Sequence, residues 1–200
     1  MTAPLAERSP IRDAAVRAML PIAAGQGWTW ATIRAGLAAA GEDPALAESH
    51  FPGGPVDAIL TWIDLANRGM EATAAAEGLD ALRTPARIRR VVELRLREVA
   101  PHKRVLRRAL CVLSLPWNLP AALRASACTA SALWYAAGDT STDFSWYTRR
   151  ASLGAIYAAT LAWWMRDDDP DLADTLAFLD RRLGDLARLQ RRKRPKPAAA

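Results

Sequence analysis

The sequence predicts an all-helical fold, on three observations. No stretch of its 200 residues alternates apolar and polar side chains over several positions rich in Val, Ile and Thr, as a half-buried strand would. Apolar residues recur instead at spacings of three and four, the period of one helix face. The 11 glycines fall mostly at turn-like positions, which leaves the Ala-rich segments free to wind. A helical domain of this length is large enough to tolerate an internal cavity.

The elements follow in order. Ser9-Pro10 is an N-cap with proline at the first helical position, opening a helix that carries Ile11, Ala15, Met19 and Ile22 until Gly25-Gln26-Gly27 stops it. Thr29 caps a second helix through Trp30, Ile33 and Leu37, which ends at Gly41. Asp43-Pro44 starts a short third helix ending near Phe51; Pro52-Gly53-Gly54-Pro55 separates it from a long helix with Val56, Ile59, Leu60, Ile63 and Met70. Long, short, short, long is the layout of a helix-turn-helix module.

Thr84-Pro85 begins a helix with Ile88, Val91, Val92, Leu96 and Val99 on its inner stripe, and Arg87, Arg89, Arg90, Arg95 and Arg97 are expected on its outer surface. Pro101 ends it. From Lys103 to Leu113 the pattern repeats, with Val105, Leu106, Ala109 and Leu110 inside and Lys103, Arg104, Arg107 and Arg108 outside. Ser114 to Pro120, SLPWNLP, is an elbow, after which Leu123, Ala127, Ala130, Leu133 and Trp134 line a helix that ends at Gly138. In the run DTSTDFSWYTRR, residues 139 to 150, Thr142 or Asp143 has the side chain of a helix cap. Trp146, Leu153, Tyr157 and Trp164 then fall on one heavy apolar stripe, beside a small-residue face of Tyr147, Ala151, Gly154 and Ala158. The last helix is expected to start with Asp169 as cap and Pro170 in its first turn, and Leu172, Leu176, Leu179, Leu183 and Leu186 space like a coiled-coil seam. Three regions are expected: 1–80, a degenerate helix-turn-helix module with its connecting helix; 81–190, a ligand-binding and dimerisation region; and 191–200, an unfolded basic tail.

The net charge of +6 is unevenly spread. Residues 1–80 hold five Arg against ten carboxylates, so the first region is near −5 and the rest near +11. DNA readers need cations for phosphates and donors for base edges. The candidate recognition helix, Pro44 to Phe51, contains Glu48 and no Lys or Arg, and Glu42 and Asp43 precede it. Such a module is repelled by a duplex, so no DNA partner is expected.

Cys111 and Cys128 are read as small buried hydrophobes, and with only His50 and His102 besides, no metal or other cofactor is expected. Asp167, Asp168, Asp169 and Asp171 lack the glycine and the spacing of a calcium loop and suffice as a turn and cap. No nucleophile with a base, carboxylate pair or phosphate loop stands at a recognisable spacing, so the chain reads as a non-enzyme. The N-terminus has neither a secretory nor a transit-peptide pattern, which reads as a bacterial cytoplasmic protein. Between Ala109 and Gly138 the only charge is Arg124, but Pro116 and Pro120 split that segment into two buried helices rather than a span.

Residues 136 to 183 resemble one family closely, the ubiquinone (coenzyme Q) biosynthesis accessory proteins numbered nine in the coenzyme Q series. The resemblance is carried by Gly138, Asp139, Ser141, Thr142, Asp143, Trp146, Tyr147, Thr148, Arg149 and Arg150, then Tyr157, Asp167, Thr175, Phe178 and Leu179. Weaker similarity, including Gly27-Trp28 and Phe51-Pro52-Gly53, extends it to about residues 10–187. It implies a TetR-like fold of about nine helices, a homodimer, and a non-catalytic lipid-binding role that presents quinone intermediates to a di-iron demethoxyubiquinone hydroxylase. It also implies a partner-binding surface at Leu133, Trp134, Asp143, Trp146 and Tyr147. Trp146 and Tyr147 are thus either interface anchors or interior packing. An isoprenoid-binding cavity is expected from Leu96, Leu110, Leu113, Trp117, Leu133 and Trp134. Eukaryotic members of the family carry a further amphipathic helix for the membrane; here the sequence ends in RRKRPKPAAA, which attracts anionic lipid without an apolar face to insert. Peripheral, weak association with the inner membrane is expected. The competing reading is a ligand-responsive TetR-type repressor; a plain dimeric scaffold is a third.

Overall fold

A computed structural model describes the backbone of residues 5–138 and 145–193 and the side chains of residues 5–138 and 150–188. Among the described residues there are nine α-helices: α1 (Pro10–Gln26), α2 (Trp30–Ala39), α3 (Ala47–His50), α4 (Gly54–Glu77), α5 (Thr84–Val99), α6 (Lys103–Leu113), α7 (Leu119–Ala136), α8 (Ser145–Trp164) and α9 (Ala173–Lys193). Short 3-10 turns precede α3, α5, α6 and α7.

The first four helices form the helix-turn-helix arrangement. Thr29 accepts from the backbone N–H of Thr32 and so caps α2. α1 and α2 cross closely at Gly36, where a Cβ would stand 2.3 Å from the Met19 side chain. Arg12, buried on α1, donates to the His50 carbonyl at 2.5 Å, to Asp57 at 2.5 Å and to Thr61 at 2.8 Å, and lies over the Phe51 ring. One guanidinium therefore ties α1 to the end of α3 and the start of α4.

α4 joins this unit to the remainder, packing on α5 and α7. One apolar core runs from Leu5 to Leu179, and its largest fully buried side chains include Phe51, Met70, Leu96, Leu133, Leu153 and Leu179. Leu153, Tyr157 and Trp164 of α8 are buried as their spacing predicts.

The last helix starts later than its sequence suggests. Leu172, buried and at φ +62, interrupts the chain between Pro170 and the helix. The Asp169 carboxylate accepts from the N–H groups of Asp171 (2.9 Å) and Ala173 (2.9 Å), so it caps from outside the helix rather than at its edge. Asp167 accepts from Thr175 at 2.5 Å and from the Asp169 N–H at 3.0 Å. Lys103 donates to the Asp167 carbonyl and sits over the Trp164 ring, so the turn is pinned to the start of α6. α9 itself continues to Lys193, three residues into the tail expected to be unfolded; residues 194–200 lie outside the described ones.

Candidate functional site

α7 and α8 pack through small residues, and that choice leaves space. A Cβ added at Gly154 would stand 3.4 Å from the Ala130 Cβ. Ser126, Ala127, Ala130 and Ser131 of α7 face Arg150, Ala151, Gly154 and Ala155 of α8 across a cavity of about 520 Å³. A second cavity, about 390 Å³, adjoins it through the shared Ser126 and Gly154. Its wall is Leu106, Leu110 and Leu113 of α6, Leu119, Ala122 and Ala125 of α7, and Tyr157, Ala158 and Leu161 of α8. Together they make one apolar groove along α6, α7 and α8. Ala127, Ala151 and Ala155 are exposed and form its open side.

The polar exceptions in the second cavity are Arg95 of α5, Ser126 and Thr129 of α7, and Ser114 at the end of α6. Arg95, expected on the outer surface of α5, is 3% exposed and stands in the wall with Thr129. Its Nε donates to Asn67 Oδ1 at 2.9 Å, and Asn67 donates to Thr129 Oγ1 at 3.3 Å. The sequence did carry the signal: Ile88, Val92, Arg95 and Val99 step by four, three and four along one helix face.

The expected cavity residues separate. Leu110 and Leu113 line the groove. Leu96 is fully buried in the core between helices and is not part of the wall. Trp117 is 74% exposed, because the elbow turns it away from the body rather than under it. Leu123, Ala127 and Cys111, read as interior, are also exposed. Leu133 (1% exposed) and Trp134 (8%) are packed in the core. Neither lines the groove nor presents a surface to a partner in this conformation. Asp143 and the side chains of Trp146 and Tyr147 lie outside the described residues.

The helix-turn-helix unit has few cations to offer. Arg8 pairs with Asp64, Arg12 with Asp57, Arg34 with Glu48, and Arg68 with both Asp13 and Asp64. On α5, Glu93 is surrounded by Arg89, Arg90 and Arg97. Burial pushes the Glu93 carboxyl up, but hydrogen bonds from Arg97 and Arg90 outweigh it and hold the group below the usual carboxylate range. Among the described residues no group of three His, Cys, Asp or Glu is placed to hold a metal ion, and no helix is long and apolar enough to cross a membrane.

The groove-forming helices coincide with a known sequence family: residues 119–190 match the COQ9 family model. Residues 119–190 belong to the COQ9 family, and members of that family align with most of the chain. It is 35% identical over 175 residues to the human mitochondrial ubiquinone biosynthesis protein COQ9, covering 84% of this chain and 55% of that protein. With the rat COQ9 it shares 35% over 182 residues, 88% of this chain and 58% of the relative. The chain thus spans little more than half the length of these curated relatives. Among solved structures, a TetR transcriptional regulator from Nitrosomonas europaea superposes with a TM-score of 0.69, over 90% of this chain and 99% of that one, at 24% identity. That likeness identifies the fold as TetR-like.

Proposed function

We propose that this protein is a non-catalytic accessory factor of ubiquinone biosynthesis, which holds an isoprenoid lipid or quinone intermediate and presents it to a di-iron demethoxyubiquinone hydroxylase. The observation that carries the reading is the apolar groove, built from α7 and α8 of the COQ9 segment and extended by α6. An isoprenoid chain gains about 0.8 kcal/mol per methylene on leaving water for such a site. Taken from a bilayer it gains far less, since hydrocarbon is exchanged for hydrocarbon, so delivery depends on a groove that opens beside the membrane. The exposed Trp117, Leu119 and Leu123 at the groove's α6–α7 end, with Arg124 next to them, suit a bilayer interface, and the basic tail adds attraction to anionic lipid. Inner-membrane association of a bacterial protein, and a homodimer, belong to the same proposal.

Trp146 and Tyr147, together with Asp143, are the proposed contact with the hydroxylase. Trp146→Ala and Tyr147→Ala are expected to abolish capture of the hydroxylase in a pull-down while shifting the thermal midpoint by no more than a few degrees. Joint loss of capture and of fold would assign both residues to packing instead. The repressor alternative needs cations on the DNA-facing helices, and α2 and α3 together carry one arginine, Arg34, which lies 3.8 Å from Glu48. Titration of a duplex at low salt is expected to show no saturable, salt-sensitive binding.

A further inference from the structure

The second cavity has an arginine in its wall, Arg95, that no carboxylate neutralises among the described residues. Arg12, Arg68 and Arg90 each sit against carboxylates. Arg95 has no ion-pair partner among the described residues; its one hydrogen bond is the Nε contact with Asn67. Its Nη1 is sealed from solvent and unpartnered, and Nη2 donates to no group among the described residues. A guanidinium with open donors at a buried site is costly unless an acceptor reaches it. Asn67 holds Nε and is itself held by Thr129, which shares the cavity wall, so the guanidinium is anchored at one edge while its terminal nitrogens are left without an acceptor among the described residues. The rest of the wall is mainly apolar, with Leu110, Leu113, Tyr157 and Leu161 among its residues and Ser114, Ser126 and Thr129 adding aliphatic hydroxyl groups.

We infer that this cavity takes an amphiphile headed by an anionic oxygen group, a carboxylate or a phosphate, held by the terminal nitrogens of Arg95, with its apolar chain lying in the groove between α7 and α8. This deepens the lipid-binding reading above and rests on it. The guanidinium's parallel N–H groups match the two oxygens of such a head, and a neutral lipid would leave the charge unanswered. Selection is therefore made on the head, while the small-residue groove accepts the chain with little discrimination.

The full chain tests this with three probes of one chain length, palmitate, hexadecyl phosphate and hexadecanol, each displacing the dye N-phenyl-1-naphthylamine. Salt at about 0.5 M screens the basic surface and leaves a buried site largely unaffected. The wild type is expected to hold at least one anionic probe about tenfold tighter than hexadecanol; which of the two is tighter distinguishes a carboxylate head from a phosphate head. In Arg95→Met the three affinities are expected to converge on that of hexadecanol, and in Arg95→Lys the preference for the anionic probe persists. If Arg95→Met does not fold, Arg95→Gln decides, since it drops the charge and keeps a donor toward Asn67: loss of discrimination supports the assignment and its retention overturns it. A wild type that binds all three probes equally overturns the role of Arg95 and leaves the groove reading standing. A wild type that binds none of them overturns the groove reading, and this inference with it.

Discussion

Arg12 is the residue on which the helix-turn-helix half depends most, because it satisfies three acceptors from a position with almost no solvent. Arg12→Ala leaves the Asp57 carboxylate and the His50 carbonyl without their donor, and is expected to cost about 3 kcal/mol in chemical denaturation. Glu93 makes the molecule sensitive to acid. Its carboxyl is depressed in the folded protein, so its contribution to stability is fully present above the ordinary carboxylate value and is lost as pH falls through the folded one. Thermal melts are expected to show a steeper fall below about pH 4 for the wild type than for Glu93→Gln. Arg95 marks where residue-scale reading of the sequence failed. Five arginines on one helix read naturally as a solvated face, and composition favours that answer. Periodicity gives the other, correct one, since position 95 is in step with Ile88, Val92 and Val99.

At the scale of elements, helix bounds were readable wherever a local signal decides them. Proline at the first turn, the Thr29 cap and the run from Lys103 to Leu113 all match the structure. The start of α9 was not, because a buried leucine in the left-handed region delays the helix and no propensity rule predicts that for Leu. Elbow side chains were misplaced for a related reason: apolar composition marks Trp117 as interior, but the direction of a turn is set by what packs on either side of it. If the elbow meets lipid, Trp117→Ser with Leu123→Ser should weaken sedimentation with anionic vesicles and leave the melting temperature near that of the wild type. Gly154 offers a sharper test of the α7–α8 face, whose small residues the sequence did reveal. Its backbone is helical and an added methyl meets only ordinary contact with Ala130, so Gly154→Ala should stabilise the protein by about 0.5–1 kcal/mol in urea denaturation. Gly154→Leu should fill the groove and displace its lipid. Stability gained where binding is lost is the signature of a helix pair kept loose for a guest.

The whole molecule divides its charge and its cavity between two ends. An acidic helix-turn-helix unit, with Arg8, Arg12, Arg34 and Arg68 paired to its own carboxylates, is joined through α4 to a basic helical body that contains the groove. The helical class, the acidic module and the small-residue face were all present as patterns along the chain. Of the groove's expected wall only Leu110 and Leu113 line it, since Leu96, Leu133 and Trp134 belong to the core and Trp117 is exposed. One apolar stripe cannot tell a neighbour helix from an empty space. Lipid occupancy of the α6–α7–α8 groove in the native protein is decided by mass spectrometry of organic extracts from purified wild type and Gly154→Leu. An isoprenoid, quinone or phospholipid species near one equivalent per chain in the wild type, and depleted in the folded variant, is the expected result. Extracts free of lipid, or lipid retained equally by both proteins, would contradict it.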